Sequence, residues 1–350
     1  MDLFDPNCLP LSRWPFSGIL HGMPYDAITF GEAMVRLAPP DFQRLEQTRS
    51  LNVEIGGAEL NTAVGLVRLG RTATWVSRLP DNPLGKLVAN RVREAGVSDE
   101  HVQYTDDGRC GLYFLEFGAA PRASSILYDR KDSSIARVQS GTFDWPTIVR
   151  GAKWFHVTGI TPALSESAAN VTADALKAAK AAGLGTSIDL NYRSKLWTPT
   201  EAGRTMSELL AHCDLLIASE PDAENLFGIT GANFSDVAAK LIARFGIKMV
   251  AGVRRETPLV WRNSFSAVGF TEGKLHTTKC YEVEIVDRLG AGDALASGLI
   301  DGILAGDFAL GLDTGAAMGA IKHSIPGDLP WITRDEVNEL MQGHGLRIRR

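Results

Sequence analysis

The segment Val286-Asp287-Arg288-Leu289-Gly290-Ala291-Gly292-Asp293-Ala294 carries residue types that phosphate chemistry needs. It closes an extended run and opens a helical one. A helix N-terminus presents unpaired backbone N–H groups and the positive end of a dipole, both of which attract phosphate oxygens. Gly290 and Gly292 permit positive φ and keep Cβ atoms away from a ligand. Asp293, inside the first helical turn, would face that ligand and could accept a proton from an attacking hydroxyl. The N–H groups of Ala291 and Gly292 would steady the charge on the phosphoryl group. A merely well-capped helix start would look the same in this segment alone.

A second segment, Glu54-Ile55-Gly56-Gly57-Ala58-Glu59-Leu60-Asn61-Thr62-Ala63, also sets two glycines before a helix. Asn61 falls within the first turns, where it and nearby N–H groups could bind the hydroxyls of a polyol. Gly56-Gly57 also fits a generic turn. The chain contains no GxxxxGK[ST] and no GxGxxG, so neither a Walker P-loop nor the usual dinucleotide fingerprint is present.

These segments must be held by a scaffold, and from Tyr25 onward apolar β-type runs alternate with helical ones. Strands are predicted over Tyr25–Phe30, Thr72–Ser77, Trp154–Thr158, Leu184–Asp189, Asp214–Ala218 and Lys248–Val253. Helices are predicted over Ala58–Leu69, Leu84–Ala95, Ser165–Ala182, Glu201–His212, Ser235–Phe245, Ala291–Ala305 and Phe308–Ser324. The fold class is α/β, a doubly wound central sheet flanked by helices. Two stretches, about 35–54 and 109–130, break the alternation. They read as short strands, with Gly118 to Pro121 as a hairpin turn, that form a small projecting β-sheet lid. Residues 1–24 read as an irregular N-terminal extension, and 25–350 as one domain.

With 350 residues, 45% hydrophobic and 22% charged, the composition is that of an enzyme with a sizeable core. The net charge of -5 provides no positive field for nucleic acid or an anionic membrane, and Arg347, Arg349 and Arg350 sit on a fraying terminus. Cys8, Cys110, Cys213 and Cys280 lie far apart with no CxxC pair. That spacing argues against a zinc site or a disulfide framework and fits a reducing cytoplasm. No apolar run approaches the roughly 18 residues a membrane helix needs, and the N-terminus lacks the order of a signal peptide.

Taken together, the two glycine segments resemble the signatures of the PfkB, or ribokinase-like, carbohydrate kinase family. The first is similar to its GG-x-x-x-N and the second to its D-[TS]-T-G-A-G-D, in the same order, and the resemblance extends over Tyr25–Val337. It implies transfer of a phosphoryl group from ATP, with Mg²⁺, to a sugar hydroxyl under a β-lid, with Asp293 as base and Gly290, Ala291 and Gly292 holding the phosphoryl charge. Within the family, four segments resemble the branch acting on 2-keto-3-deoxygluconate. These are Phe30-Gly31-Glu32, Tyr113 with Tyr128-x-Arg130, Asn191-Tyr192-Arg193 with Leu196-Trp197, and Ile321-Lys322-His323-Ser324-Ile325-Pro326-Gly327-Asp328.

A keto acid needs a carboxylate partner, which the planar fork of Arg can supply bidentately. Arg130 and Arg193, with the hydroxyls of Tyr113 and Tyr128, are suitable donors. Each has a second reading: the tyrosines as packing in a sheet, the arginines as solvated residues. The substrate site is thus expected from Gly56, Gly57, Asn61, Tyr113, Tyr128, Arg130, Arg193 and Asp293. The resemblance places Asn191, Ser219, Gly252, Arg254, Gly290, Gly292 and His323 on the nucleotide side. Mg²⁺ is expected to be held mostly through water, with no dedicated metal-ligand set.

Three departures stand out. Arg288-Leu289 replaces small hydroxyl residues. Ser219-Glu220-Pro221-Asp222 stands where the family has N-x-x-E, leaving Glu220 and Glu224 as substitutes. Arg254 stands where a glycine is common. The expected function is phosphorylation of the terminal hydroxyl of 2-keto-3-deoxygluconate by a cytoplasmic enzyme, with a homodimer through the lid. Another sugar, such as fructose or ribose, is the nearest alternative, and a sugar-binding protein without catalysis is the alternative from another class.

Overall fold

The computed structural model describes residues 24–259 and 261–343. The predicted N-terminal extension before Pro24, Cys8 and the three terminal arginines lie outside the described residues.

The chain runs β1 (Ala27–Phe30), β2 (Met34–Ala38), β3 (Asn52–Gly56), α1 (Ala58–Arg68), β4 (Ala73–Pro80), α2 (Pro83–Glu94), β5 (Val102–Thr105), β6 (Gly111–Glu116) and β7 (Ser125–Asp129). It continues through α3 (Trp145–Ile148), β8 (Trp154–Thr158), α4 (Glu166–Ala181), β9 (Gly185–Asp189), α5 (Pro199–Leu210), β10 (Leu215–Ile217), α6 (Glu220–Phe227) and α7 (Phe234–Phe245). The last elements are β11 (Met249–Leu259), β12 (Arg262–Thr271), β13 (Lys274–Thr277), β14 (Tyr281–Glu284), α8 (Ala291–Leu304), α9 (Phe308–Lys322) and α10 (Arg334–Gln342).

The main sheet has the order β13-β12-β11-β10-β9-β8-β1-β4-β5, with β14 beside β12. Pairing is parallel from β5 to β11 and antiparallel beyond. Its central strands β1 and β8 are buried along their whole length, as expected of parallel strands covered on both faces. Each predicted strand and helix of the alternating part appears. The strand expected to end at Val253 runs on to Leu259 and returns as β12, because its continuation through Arg254, Arg255 and Glu256 is polar in sequence and does not read as a core strand. Neither α6 nor α10 was expected, although Thr333 and Glu336 form a capping box before α10.

The two irregular stretches fold together as a separate sheet of order β3-β2-β6-β7. The connection between β6 and β7 is a longer loop than the predicted Gly118–Pro121 turn, pinned where the Gly118 N–H donates to Ser124 Oγ at 3.0 Å. Alternation sends Met34, Arg36, Tyr113 and Tyr128 to the face turned toward the main sheet.

One charged knot joins this sheet to the rest. Arg36 of β2 is buried and bridges Asp287 at 2.7 Å and Asp328 at 2.8 Å. Tyr113 of β6 donates its hydroxyl to the other oxygen of Asp328. Gly56 leaves room for that carboxylate, because a Cβ there would lie 2.3 Å from Asp328 Oδ2. Deleting one partner of a buried ion pair strands the others. Arg36→Met is therefore expected to destabilise the fold by about 3–5 kcal/mol, read as a lower midpoint in chemical denaturation.

Candidate active site

α8 and α9 form an antiparallel pair packed almost backbone to backbone. A Cβ on Gly298 would come within 2.4 Å of Gly315 N, and one on Gly302 within 2.1 Å of Gly311 Cα. This contact sets the first turn of α8 beside the last turn of α9. The loop entering α8 is held at several points. The Val286 and Asp287 N–H groups donate to the His323 carbonyl, the Leu289 N–H to Asp287 Oδ1 and the Gly327 N–H to Asp287 Oδ2. Gly290 then takes φ 81°, with the Asp328 carbonyl only 2.1 Å from where a Cβ would sit, so glycine is required there. Among the described residues no side chain caps α8, which leaves its first amides to a ligand.

Asp293 stands in that first turn, buried, and accepts a hydrogen bond from Asn61 Nδ2 at 2.6 Å. Asn61 is itself placed by α1, where its Oδ1 faces the Gly57 N–H. Loss of water pushes the Asp293 carboxyl up to about 6; the Asn61 bond and the Arg193 charge pull it back, and Asp328 pushes it further up. Asp189, at the C-terminal end of β9, is driven up to about 7 by desolvation and by repulsion from Asp293, against the pull of the Asn191 N–H.

These groups open into one cleft of about 700 Å³ outside the carboxyl ends of β9 and β10, where open α/β sheets bind ligands. Gly56, Gly57, Asn61, Tyr113, Tyr128, Arg130, Asn191, Arg193, Ser219, Gly290, Gly292 and Asp293 all line it. Arg193 is exposed at its rim. Among the described residues no carboxylate forms an ion pair with its guanidinium, although Asp293 and Asp189 feel its charge.

A family model described as "pfkB family carbohydrate kinase" matches residues 26–324. The chain belongs to the pfkB family of carbohydrate kinases. As a pfkB kinase it is a transferase that phosphorylates a small-molecule sugar, and membership of a kinase family implies the use of ATP. It is 38% identical over 331 residues, 94% of this chain and all of the relative, to the 2-dehydro-3-deoxygalactonokinase of Haloferax volcanii. It is 29% identical to the 2-dehydro-3-deoxygluconokinase of Bacillus subtilis, across 90% of this chain and 95% of that one. Its structure resembles the crystal structure of the 2-dehydro-3-deoxygluconokinase of Thermotoga maritima with a TM-score of 0.88 at 40% identity, covering 91% of this chain and 99% of that one.

Several expected site residues of this pfkB kinase lie elsewhere or are already engaged. His323 is buried in the core with its ring edge-on to Phe265 and Nδ1 2.6 Å from the Gly319 carbonyl. It touches the loop through its main-chain oxygen, while its ring packs inward against Phe265. Gly252 packs against the Ala218 carbonyl and Phe234, and Arg254 is exposed outside the cleft lining; Val253 between them reaches the cleft. The Ala291 side chain is buried against the core. Ser219 lines the cleft as the N-cap of α6, and its hydroxyl donates to Asp222 Oδ2 at 2.6 Å. Asp222 lines the cleft with it, whereas Glu220 and Glu224 are absent from the lining.

Arg130 is engaged by Glu32, with one guanidinium nitrogen on Oε2 of the buried Glu32 and its own side chain mostly covered. It is thus not the unpaired cation that its sequence position suggested. Glu32, Asp189, Arg36, Asp287, Lys322 and Asp328 shape the site without having been assigned roles from the sequence. Asp189 carried a readable signal, a carboxylate closing a parallel strand.

Among the described residues no helix is long and apolar enough to cross a membrane.

The Asn61 bond favours the ionised form of Asp293. Followed by carboxyl carbon NMR, Asp293 is expected to titrate near 6 in the unliganded protein. Asn61→Ala should move that titration to higher pH, and an unmoved titration would contradict the assignment of the bond.

Proposed function

We propose that this pfkB kinase transfers the γ-phosphoryl group of ATP to the terminal hydroxyl of 2-keto-3-deoxygluconate or its galactonate epimer. The observation that carries this reading is Arg193, a cation without an ion pair among the described residues, opening into the same cleft as the buried carboxylate of Asp293. A neutral sugar would offer that guanidinium hydrogen bonds but no charge to pair with, while a sugar acid supplies the planar carboxylate its fork fits. The names of the relatives from Haloferax volcanii and Bacillus subtilis point to the same substrate class.

In the proposed reaction, the acid lies between the small sheet and the main sheet. Its carboxylate faces Arg193, Tyr128 and Arg130, and its hydroxyls face Gly57 and Asn61. The terminal oxygen attacks the γ-phosphorus in line, its proton passes to Asp293, and the bond to the departing ADP oxygen breaks. The amides at the start of α8 hold the charge of the transferring group. Asp189 and Asp222 fit a Mg²⁺ bound through water. Their repulsion is part of what raises Asp189, and among the described residues no three ligand groups converge to grip a metal directly. When bound, Mg²⁺ would neutralise phosphate charge. An apolar row on the outer face of the small sheet, Leu37, Val53, Phe114 and Leu127 in register, supports a homodimer through that sheet.

ADP release is to be measured against 2-keto-3-deoxygluconate, its galactonate epimer, gluconate, fructose, ribose and adenosine. Selective turnover of the keto acids is expected, with Arg193→Ala raising KM for them far more than it lowers kcat. Turnover of a neutral sugar alone would discard the acid-binding role of Arg193.

A base must be unprotonated to act, so kcat is expected to fall as pH drops through the Asp293 value of about 6. Asp293→Asn should lose on the order of 10²–10⁴-fold in kcat and its acid limb with it. Near-normal turnover by that variant would remove Asp293 from the reaction.

A further inference from the structure

Lys322, the last residue of α9, is fully buried. An ammonium without solvent needs compensation in charge and hydrogen bonds. Its Nζ donates to the Ile325 carbonyl at 2.9 Å, and its Cε lies 3.3 Å from the position a Cβ would occupy on Gly290. The stem therefore packs directly beneath the αL turn that starts α8. Lys322 is absent from the cleft lining, so it acts on a ligand only through what lies between.

The charges around this turn are uneven. Beneath it Arg36 and Lys322 face Asp287, Asp328 and Asp293, two cations against three carboxylates, while Arg193 reaches Asp293 from the cleft rim. Arg36 is already committed to Asp287 and Asp328. Arg193 offsets Asp293 from the cleft rim, and Lys322 is the buried cation beneath the Gly290 turn that remains to offset Asp293 from below and to face, across that turn, an arriving phosphoryl group.

We propose that Lys322 is a positioning residue for phosphoryl transfer, a fixed positive charge under the Gly290 turn that keeps Asp293 ionised and adds to the field of the α8 amides. Burial and the Arg36 charge draw the Lys322 ammonium toward its neutral form, and Asp287, Asp328 and Asp293 act against that loss. The competing account is structural: a lysine in the last turn of a helix complements the dipole and ties down a loop carbonyl.

The inference rests on the proposed role of Asp293 and not on the identity of the sugar, so kcat is measured on whichever panel substrate the wild-type protein turns over best. In Lys322→Met, a roughly 10–100-fold fall in kcat is expected, together with an acid limb displaced to higher pH and a KM for the sugar within about twofold of wild type. Arg193, Asp189, Asp328 and Asn61 also act on Asp293 and are unchanged in this variant, so a displaced limb reads the Lys322 charge.

Lys322→Gln keeps a donor for the Ile325 carbonyl without the charge, and should show the same losses. A folded variant with kcat within twofold of wild type and an unmoved limb would overturn the proposal. So would failure of both variants to fold, since the charge would then serve the fold. If the wild-type protein is silent on the whole panel, the sugar-acid reading fails. Calorimetric titration with ADP and aluminium fluoride still reads Lys322 in that case. Weaker binding of the fluoride complex by the variants, with ADP alone unchanged, supports the inference, and equal binding of both overturns it.

Discussion

Asn61 Nδ2 and Asp293 Oδ2 meet across 2.6 Å, joining α1 to α8 and placing a largely buried carboxylate at the floor of the cleft. Most of the surrounding architecture serves to make that meeting possible. The two helices approach closely because Gly65 has no Cβ to strike Ser297. The Ser297 hydroxyl lies within bonding distance of the Thr62 and Asp293 carbonyls, 3.0 and 2.8 Å away. Gly57 lets the start of α1 slide under the Glu32 carbonyl, which a Cβ would meet at 2.1 Å. Desolvation then weakens the acid, and a carboxylate that holds its proton more tightly is a better base near neutral pH. The same burial that the helix packing enforces therefore tunes the chemistry.

A buried negative charge needs a surrounding that neither neutralises it nor expels it. Asn61, Arg193 and Lys322 favour that charge, Asp328 opposes it, and the knot of Asp328 with Arg36, Asp287 and Tyr113 carries the small sheet as well. Because Asp287 also orders the amides of Leu289 and Gly327, a shift of β2 or β6 would be felt in the loop that ends at Gly290. The small sheet and the glycine turn before α8 are thus mechanically one assembly, although their residues come from distant parts of the chain.

Local patterns revealed much of this and long-range pairings little. The alternation of buried strands and amphipathic helices was legible, as were the two glycine turns, because glycine at a helix start has a local cause. The capping box before α10 was equally local and was missed for want of an apolar stripe; Val337 is its one buried residue. The partners of charged residues were not legible. Nothing near Arg130 in the sequence announces Glu32, 98 residues away, and nothing near Tyr113 announces Asp328. His323 shows the opposite error, for a residue in a suggestive motif contributes its carbonyl while its ring packs in the core.

The Glu32–Arg130 pair bears on how an acid could be recognised here. A substrate carboxylate that displaced Glu32 would leave a buried anion without its partner, a penalty larger than most single contacts return. Displacement is not required. A guanidinium has five donors in a fixed plane, and Glu32 occupies one edge of Arg130 while its buried Nε has no hydrogen-bond partner among the described residues. Glu32 then fixes the plane of Arg130, the Tyr128 ring 5.7 Å away supports it, and the remaining donors stay oriented. On this geometry Arg193, exposed at the rim and without an ion pair among the described residues, would supply most of the charge that draws in an acid, and Arg130 the direction in which it settles.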